Sequence, residues 1–163
     1  MTTSTLEPIE HGVQADTCQL LTFQLAGEEY GLDILTVQEI RGFVPATQLP
    51  NSPKHIRGVL NLRGNIVPLY DLREMFNLPQ IEYDQFAAIV VVTIEGRVIG
   101  LVVDRVSEVM TASNGDMQPS PNVGAAAEQG CIRGILRHEE RLVILLDAVV
   151  LLTKDEHDYA LAA

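Results

Sequence analysis

The chain repeats two of its own segments in the same order. Residues 23–40 ("FQLAGEEYGLDILTVQEI") align with residues 92–109 ("VTIEGRVIGLVVDRVSEV") at a shift of 69. Residues 56–71 ("IRGVLNLRGNIVPLYD") align with residues 132–147 ("IRGILRHEERLVILLD") at a shift of 76. The seven extra residues of the second copy, 76 minus 69, fall in the polar segment 111–130. A duplicated chain of 163 residues predicts two similar subdomains within one domain of ordinary size.

Each copy is predicted to form short β-strands. Apolar side chains alternate through Leu21, Phe23 and Leu25, and the matching run of the second copy is rich in β-branched residues. We predict another strand over residues 34–40 and hairpin turns at 26–29, 62–65, 95–97 and 138–141, where glycine permits the positive φ of such turns at three of the four. Helix is limited to one turn at 72–77 and a stretch from 148 to about 155.

Four or five short strands per copy do not make a stable open sheet, so closure into a small barrel is favoured. The sequence therefore predicts an all-β fold of two similar five-stranded β-barrels, produced by internal duplication, with short helical segments.

Composition excludes several classes of function. The formal charge of 11 minus 22, or −11, argues against a nucleic-acid partner, because phosphate would repel such a surface. Apolar runs such as 86–94 are much shorter than the roughly 20 residues of a membrane helix, so we expect no membrane insertion. Residues 1–12 lack the basic start and apolar stretch of a secretory signal. Cys18 and Cys131 form no Cys-x-x-Cys pair, so we expect reduced thiols and a cytoplasmic protein.

Signals for catalysis are weak. The four histidines (His11, His55, His138 and His157) have no metal-ligand spacing, and motifs for phosphate binding or a nucleophilic serine are missing from the sequence. The acidic pairs at 28–29 and 139–140 fall at predicted hairpin tips, where water would solvate them. We expect no catalytic residue, cofactor or metal. A small β-barrel enzyme or ligand binder with an enclosed polar pocket between the barrels remains the alternative from another class.

Three features are candidates for binding. The strand predicted at 34–40 places Val37 and Glu39 on one face, and its copy does the same with Val106 and Glu108. Either the valines belong to the core, or they line a groove between the barrels that receives a helix. Arg63 lies at a predicted hairpin tip where the other copy has Glu139, and its planar fork could hold a carboxylate.

Glycines inside predicted strands form the third feature. Gly58, Gly64 and Gly100 indicate bulges or the close approach of another backbone. Gly58 and Gly100 recur in the other copy as Gly134 and Gly31, which favours internal packing.

The segments "VQEIRGF", "IRGVLNLRGNIVPLYDLR" and "VIGLVVDRVSEV" resemble, in that order, the CheW family of bacterial chemotaxis coupling proteins. The similarity covers about residues 20–152; the regulatory domain of the kinase CheA and the front half of CheV share the fold, but this chain is too short for a kinase or receiver domain. The resemblance implies two five-stranded SH3-like barrels and a non-catalytic adaptor that joins the helical hairpin tips of chemoreceptors to the regulatory domain of CheA. A coupling role in another CheA-like pathway, for surface motility or a second messenger, fits equally well.

With this resemblance we predict a disordered tail at 1–17, a CheW-like domain at 18–153 with subdomains of about 18–86 and 87–153, and a C-terminal tail at 154–163. We expect a monomer in isolation that is assembled in receptor arrays. The predicted receptor-binding residues are Val37, Glu39, Gly58, Arg63, Gly100, Val106 and Val109, and the predicted kinase-binding residues are Phe43, Val44 and Leu49.

Overall fold

The computed structural model describes residues 17–119 and 130–153, and these residues are almost entirely β-structure. They form eleven strands: β1 Thr17–Leu25, β2 Glu28–Asp33, β3 Val37–Gly42, β4 Ile56–Leu62, β5 Asn65–Asp71, β6 Ala88–Ile94, β7 Arg97–Val103, β8 Arg105–Ser113, β9 Met117–Gln118, β10 Ile132–His138 and β11 Arg141–Leu146. Helix α1 spans Leu72–Met75, and residues 148–153 form α2. The predicted all-β class with short helical segments is confirmed.

The strands form two sheets, and each sheet contains strands of both copies. One has six strands in the order β8-β1-β2-β11-β10-β9, and the other has five in the order β3-β6-β7-β5-β4. The exchange is symmetrical, because β2 runs parallel to β11 in one sheet and β5 runs parallel to β7 in the other. The strands therefore do not divide between the two sheets at residues 86 and 87, and the subdomain bounds of about 18–86 and 87–153 stay a prediction.

Short connections explain the exchange. A single residue, Asp104, separates β7 from β8, whereas an antiparallel return needs about two turn residues. β8 therefore continues away from β7 and pairs with β1 in the other sheet. In the first copy a 3-10 turn, Ile34–Thr36, leads from β2 to β3, which pairs with β6. Each copy thus contributes its third strand to the sheet that holds the first hairpin of the other copy.

The largest buried cluster is built from both sheets. It includes Phe23 and Leu25 of β1 together with Val90 of β6, Leu101 of β7 and Leu146 of β11. Burying each of these large side chains contributes roughly 1.5–3 kcal/mol, so the two sheets stabilise each other. Two smaller clusters fill the remaining interior, one around Leu20, Leu136 and Val143 and the other around Leu62, Val67 and Ile89.

The predicted hairpin turns are confirmed at all four places. Ala26, Arg63, Glu95 and Glu139 have positive φ angles of 52°, 51°, 52° and 59°. In the first three hairpins a glycine with positive φ follows, the combination that a two-residue turn requires.

One prediction about strand positions needs correction. The strand predicted at 34–40 begins at Val37, because the carboxylate of Asp33 accepts a hydrogen bond from the N–H of Leu35 at 3.0 Å and holds the 3-10 turn. Within the polar segment 111–130, β8 extends to Ser113 and β9 follows. Predictions for residues 1–16, 120–129 and 154–163 lie outside the described residues. Among the described residues, no helix is long and apolar enough to cross a membrane.

Candidate functional site

An ion pair joins two of the predicted site residues at the surface. Arg63, at the tip of the β4–β5 hairpin, donates from Nη2 to Oε1 of Glu39 on β3 at 2.6 Å. The Arg63 side chain remains 66% exposed and that of Glu39 20% exposed. The hydrogen bond from Arg63 lowers the pKa of Glu39, and Arg41 at 3.5 Å acts in the same direction. The hairpin tip therefore presents an exposed guanidinium with one carboxylate already paired to it.

The second copy contains an equivalent pair. Glu108, which matches Glu39 at the shift of 69, accepts a hydrogen bond from Nη2 of Arg141 at 2.5 Å. Arg141 also lies 3.5 Å from Glu29. The arginine comes from the first residue of β11 rather than from the turn itself, so comparing Arg63 with Glu139 position by position missed it. The expected charge difference between the two hairpins is thus compensated by a neighbouring residue.

Exposed aliphatic side chains lie next to both pairs in the chain. Ile40 follows Glu39 directly and Ile66 lies on β5 just after the Arg63 hairpin; Val109 and Leu142 occupy the matching positions of the second copy, and all four are exposed. Exposed apolar groups beside polar ones often mark protein interaction sites. We call the set Glu39, Ile40, Arg63 and Ile66 the first-copy surface. We call the set Glu108, Val109, Arg141 and Leu142 the second-copy surface.

Val37 and Val106, which were predicted to line a groove between the barrels, are half-buried. Val37 is paired with Val92 across the sheet and Val106 is paired with Phe23, and both valines pack against the main core. This position agrees with the core interpretation, which leaves only part of each side chain available to a partner.

Gly58 and Gly100 lie inside the fold. Gly58 has a φ of 144°, and a Cβ on it would lie 2.3 Å from the carbonyl oxygen of Thr47. A Cβ on Gly100 would lie 2.6 Å from Cδ2 of Leu69. Gly58 also sits at an irregularity of the β4–β5 ladder. Both glycines therefore allow close packing beneath the surface and do not offer a side chain to a partner.

The predicted kinase-binding residues fall in different environments. Phe43 is half-buried, with its ring centroid 5.0 Å from that of Tyr83 and the Arg57 guanidinium 5.5 Å from it. Val44 and Leu49, further along the segment between β3 and β4, are exposed. Phe43 thus anchors the segment, and Val44 and Leu49 are the members open to a partner.

A polar cluster that the sequence did not reveal lies beside this segment. Asp71 is 2% exposed; it accepts hydrogen bonds from Arg57 at 2.9 Å and from the Tyr83 hydroxyl at 3.3 Å. Its Oδ1 also accepts from the N–H of Glu74 at 3.2 Å, which begins α1. Burial and the negative charge of Asp71 raise the pKa of Tyr83, so its hydroxyl remains a donor. An open depression of about 320 Å³ next to it is lined by Leu49, Arg57, Asp71 and Glu74, and within it Arg57 is paired with Asp71.

A second ion pair that the sequence did not reveal is nearly buried at the crossover between the sheets. Arg73 of α1 donates two hydrogen bonds to Asp104, at 2.9 and 2.6 Å. Asp104 also accepts from the N–H of Ala26 in the β1–β2 turn at 2.9 Å. Burial acts to raise the pKa of Asp104, but the hydrogen bonds from Arg73 and Ala26 outweigh it and lower the pKa overall. This carboxylate ties α1, the crossover and the first hairpin together.

Comparisons with known proteins agree with this architecture. The family model described as CheW-like domain matches residues 19–156. The chain is 41% identical over 138 residues to a chemotaxis protein CheW of Klebsiella aerogenes, covering 85% of this chain and 83% of the relative. It is 34% identical over 142 residues to the chemotaxis protein CheW of Rhizobium meliloti, covering 87% and 92%.

A solved structure is similar as well. The crystal structure of the scaffolding protein TtCheW from Thermoanaerobacter tengcongensis aligns with a TM-score of 0.74 at 33% identity, covering 80% of this chain and 84% of that one. The family match extends over most of the sequence, and the relatives are covered over most of their own length. The chain therefore belongs to the CheW-like domain family.

Proposed function

We propose that the protein is a non-catalytic adaptor of bacterial chemotaxis that couples the helical hairpin tips of chemoreceptors to the regulatory domain of the histidine kinase CheA. The family membership and the relatives named chemotaxis protein CheW support this role. The proposal places the protein in the cytoplasm, where receptor tips and the kinase meet, and it requires no cofactor.

The single observation that carries the proposal is the exposed Glu39–Arg63 pair with aliphatic side chains beside it. An arginine fork can exchange an intramolecular carboxylate for one on a partner, or hold both, because it has five donors. Exposed isoleucines can pack on the apolar face of a helix. The first-copy surface therefore has the chemistry needed to hold a helical partner.

The receptor contact is assigned to Glu39, Ile40, Arg63 and Ile66 of the first-copy surface and, on the second-copy surface, to Val109. Val37 and Val106 pack against the main core, and Gly58 and Gly100 allow close packing within the fold, so these four residues are assigned an indirect role in the contact. The kinase contact is assigned to the segment between β3 and β4, through its exposed residues Val44 and Leu49, with Phe43 holding the segment in place.

Each contact is expected to be weak by itself. An exposed ion pair contributes about 0–1 kcal/mol, and small interfaces of roughly 1,200 Å² or less are reversible. Linking many copies in a receptor array makes later binding steps intramolecular and so raises the overall strength. A monomer with separate surfaces for two partners suits this mode of assembly.

The test measures binding to each partner separately, with a purified receptor cytoplasmic fragment and purified CheA. Arg63→Ala should weaken receptor binding about tenfold, equivalent to about 1.4 kcal/mol, and leave CheA binding unchanged. Leu49→Asp should do the reverse. Arg137→Ala, which removes an exposed arginine of β10, is the matched control and should change neither. The proposal fails if the wild-type protein binds neither partner, or if Arg63→Ala and Arg137→Ala behave alike.

A further inference from the structure

Two exposed apolar side chains and an arginine surround a depression at the crossover between the sheets. Ile81 and Phe86, in the segment 77–87 that connects α1 to β6, are 45% and 49% exposed. Both line a depression of about 260 Å³ together with Arg105, the first residue of β8. A single exposed apolar residue is ordinary in a protein, whereas apolar residues grouped beside polar ones often mark an interaction site. We call the set Ile81, Phe86 and Arg105 the crossover site.

The guanidinium of Arg105 lies over an aromatic ring and not beside a carboxylate. Its central carbon is 4.1 Å from the centroid of the Phe86 ring. Among residues 17–119 and 130–153, Arg105 forms no ion pair, unlike Arg63 and Arg141. A guanidinium stacked on a ring keeps the N–H groups of its edge directed outward, where they can bind both oxygens of a carboxylate. The crossover site therefore holds an oriented cation whose donors can serve a partner.

A turn stabilised by hydrogen bonds fixes Phe86 at the edge of the depression. Oδ1 of Asp84 accepts from the N–H of Phe86 at 2.9 Å, and the carbonyl of Asp84 accepts from the N–H of Ala87 at 3.2 Å. The carbonyl of Ala87 accepts from the N–H of Phe43 at 3.1 Å. The backbone is thus held on both sides of Phe86, so its exposed ring is positioned before a partner binds. A side chain that is ordered in advance loses less conformational entropy on binding.

The first copy shows that the barrel does not require an arginine at this position. At the shift of 69, Arg105 corresponds to Thr36, whose hydroxyl donates to the carbonyl of Asp33 at 2.7 Å within the 3-10 turn. The two copies therefore cross between the sheets with different residues and different contacts. Because the duplicated features are the ones that determine barrel geometry, the stacked arginine of the second crossover calls for another explanation.

The carboxylates that line the depression already have partners in the fold. Asp104 is bound by Arg73 at 2.9 and 2.6 Å, so its charge is neutralised from inside. Asp84 uses Oδ1 to hold Phe86, and its other oxygen can accept a hydrogen bond from the backbone of a partner. Arg105 is therefore the charged group of the depression that a partner carboxylate would complement.

The size of the depression indicates what kind of group it receives. Its volume of about 260 Å³ is below the roughly 300–1,000 Å³ of pockets that enclose small-molecule ligands. Such a volume fits a side chain of a partner better than a cofactor. Phenylalanine and arginine are both enriched in protein interfaces relative to the rest of the surface. The crossover site is therefore suited to a protein partner.

We infer that the crossover site binds a partner protein segment in which an aliphatic side chain lies next to a carboxylate. The aliphatic side chain packs against Ile81 and Phe86, and the carboxylate accepts two hydrogen bonds from the edge of Arg105. The site uses none of the residues assigned above to the receptor and kinase contacts. It gives the adaptor a third binding surface, which goes beyond the proposed function.

Selection of a random-peptide phage library on the purified protein tests this inference. Peptides that also bind the Phe86→Ala variant are removed, so that ligands of other surfaces are discarded. Phe86 is half exposed, and circular dichroism should show that this variant keeps the wild-type fold. The surviving peptides should share an acidic residue beside Leu, Ile or Val. In the tightest of them, replacing the acidic residue with its amide should weaken binding at least about tenfold.

Variants of the protein assign the contact to single groups. Arg105→Gln should weaken binding of the acidic peptide about tenfold and leave binding of its amide form unchanged, whereas Ile81→Ser should weaken both. Arg137→Gln, at an exposed arginine of β10, is the matched control and should affect neither. In isoleucine-labelled protein the acidic peptide should shift the Ile81 methyl signal and leave that of the buried Ile89 in place.

A selection with no surviving peptide, or survivors that carry basic residues in place of acidic ones, would overturn the inference. Equal effects of Arg105→Gln and Arg137→Gln on the acidic peptide would also overturn it. Displacement of the peptide by a receptor cytoplasmic fragment, with the Ile81 signal unchanged on peptide binding, would do the same, because the peptide would then occupy the receptor surface.

Discussion

Replacing Asp104 with alanine should destabilise the protein strongly, because it leaves the Arg73 guanidinium buried without its carboxylate. The Arg73 and Asp104 side chains are 7% and 18% exposed, and the substitution removes two hydrogen bonds from Arg73 and one from the N–H of Ala26. Removing one partner of a buried ion pair costs about 3–5 kcal/mol. Since Asp104 is not fully enclosed, we expect a loss near the lower end, about 3 kcal/mol, in the free energy of unfolding.

Thermal and urea unfolding followed by circular dichroism would measure this loss. At about 2–4 °C per kcal/mol for a protein of this size, the melting temperature should fall by about 6–12 °C. Arg63→Ala, which breaks an exposed pair, should cost less than about 1 kcal/mol and is the control. Replacing Arg73 with methionine in the Asp104→Ala background should recover part of the loss, because the unpaired charge is then absent. A melting temperature for Asp104→Ala within about 2 °C of wild type would refute this reasoning.

Two further predictions test the internal packing and the response to acid. Gly58→Ala should lower stability by at least about 1–3 kcal/mol, since a Cβ there would lie 2.3 Å from a backbone carbonyl oxygen, whereas Gly42→Ala has nothing within 4 Å and should change the urea midpoint little; equal midpoints would contradict the packing argument. Because the folded-state pKa of Asp104 is lowered, its contribution to stability is present above the unfolded-state pKa of about 4 and is lost as pH falls through the folded-state pKa. The difference in stability between wild type and Asp104→Asn should therefore shrink in acid, and a difference that grows as pH falls from 6 to 3 would contradict the assignment.

The strands and hairpins could be predicted from the sequence because they depend on local patterns. Alternating apolar residues and the Ala-Gly, Arg-Gly and Glu-Gly turns determine where each strand starts and ends. The exchange of strands between the copies could not be predicted in the same way. After a duplication, β1 and β6 carry similar apolar patterns, so either could serve as the partner of β3 or β8, and the choice depends on the length of the connections.

The candidate site could be predicted only in part, because its residues are brought together by contacts between distant parts of the chain. Glu39 and Arg63 were each identified from the sequence, but their pairing depends on closure of the sheet between residues far apart in the chain. The sequence marks Gly58 and Gly100 as unusual, and only their surroundings show that they allow close packing within the fold. The Arg73–Asp104 pair has no counterpart in the other copy, so comparing the copies gave no signal for it.

The most direct test of the central claim is a methyl NMR footprint on isoleucine-labelled protein during titration with a receptor cytoplasmic fragment. Ile40 and Ile66 are 46% and 65% exposed beside the Glu39–Arg63 pair, whereas Ile89 is fully buried and serves as the internal reference. The proposal predicts that the Ile40 and Ile66 methyl signals shift or broaden while that of Ile89 stays in place, and that Arg63→Ala reduces the effect. Saturable binding that perturbs Ile81, in the segment after α1, and leaves Ile40 and Ile66 unchanged would contradict the assignment of the first-copy surface to the receptor.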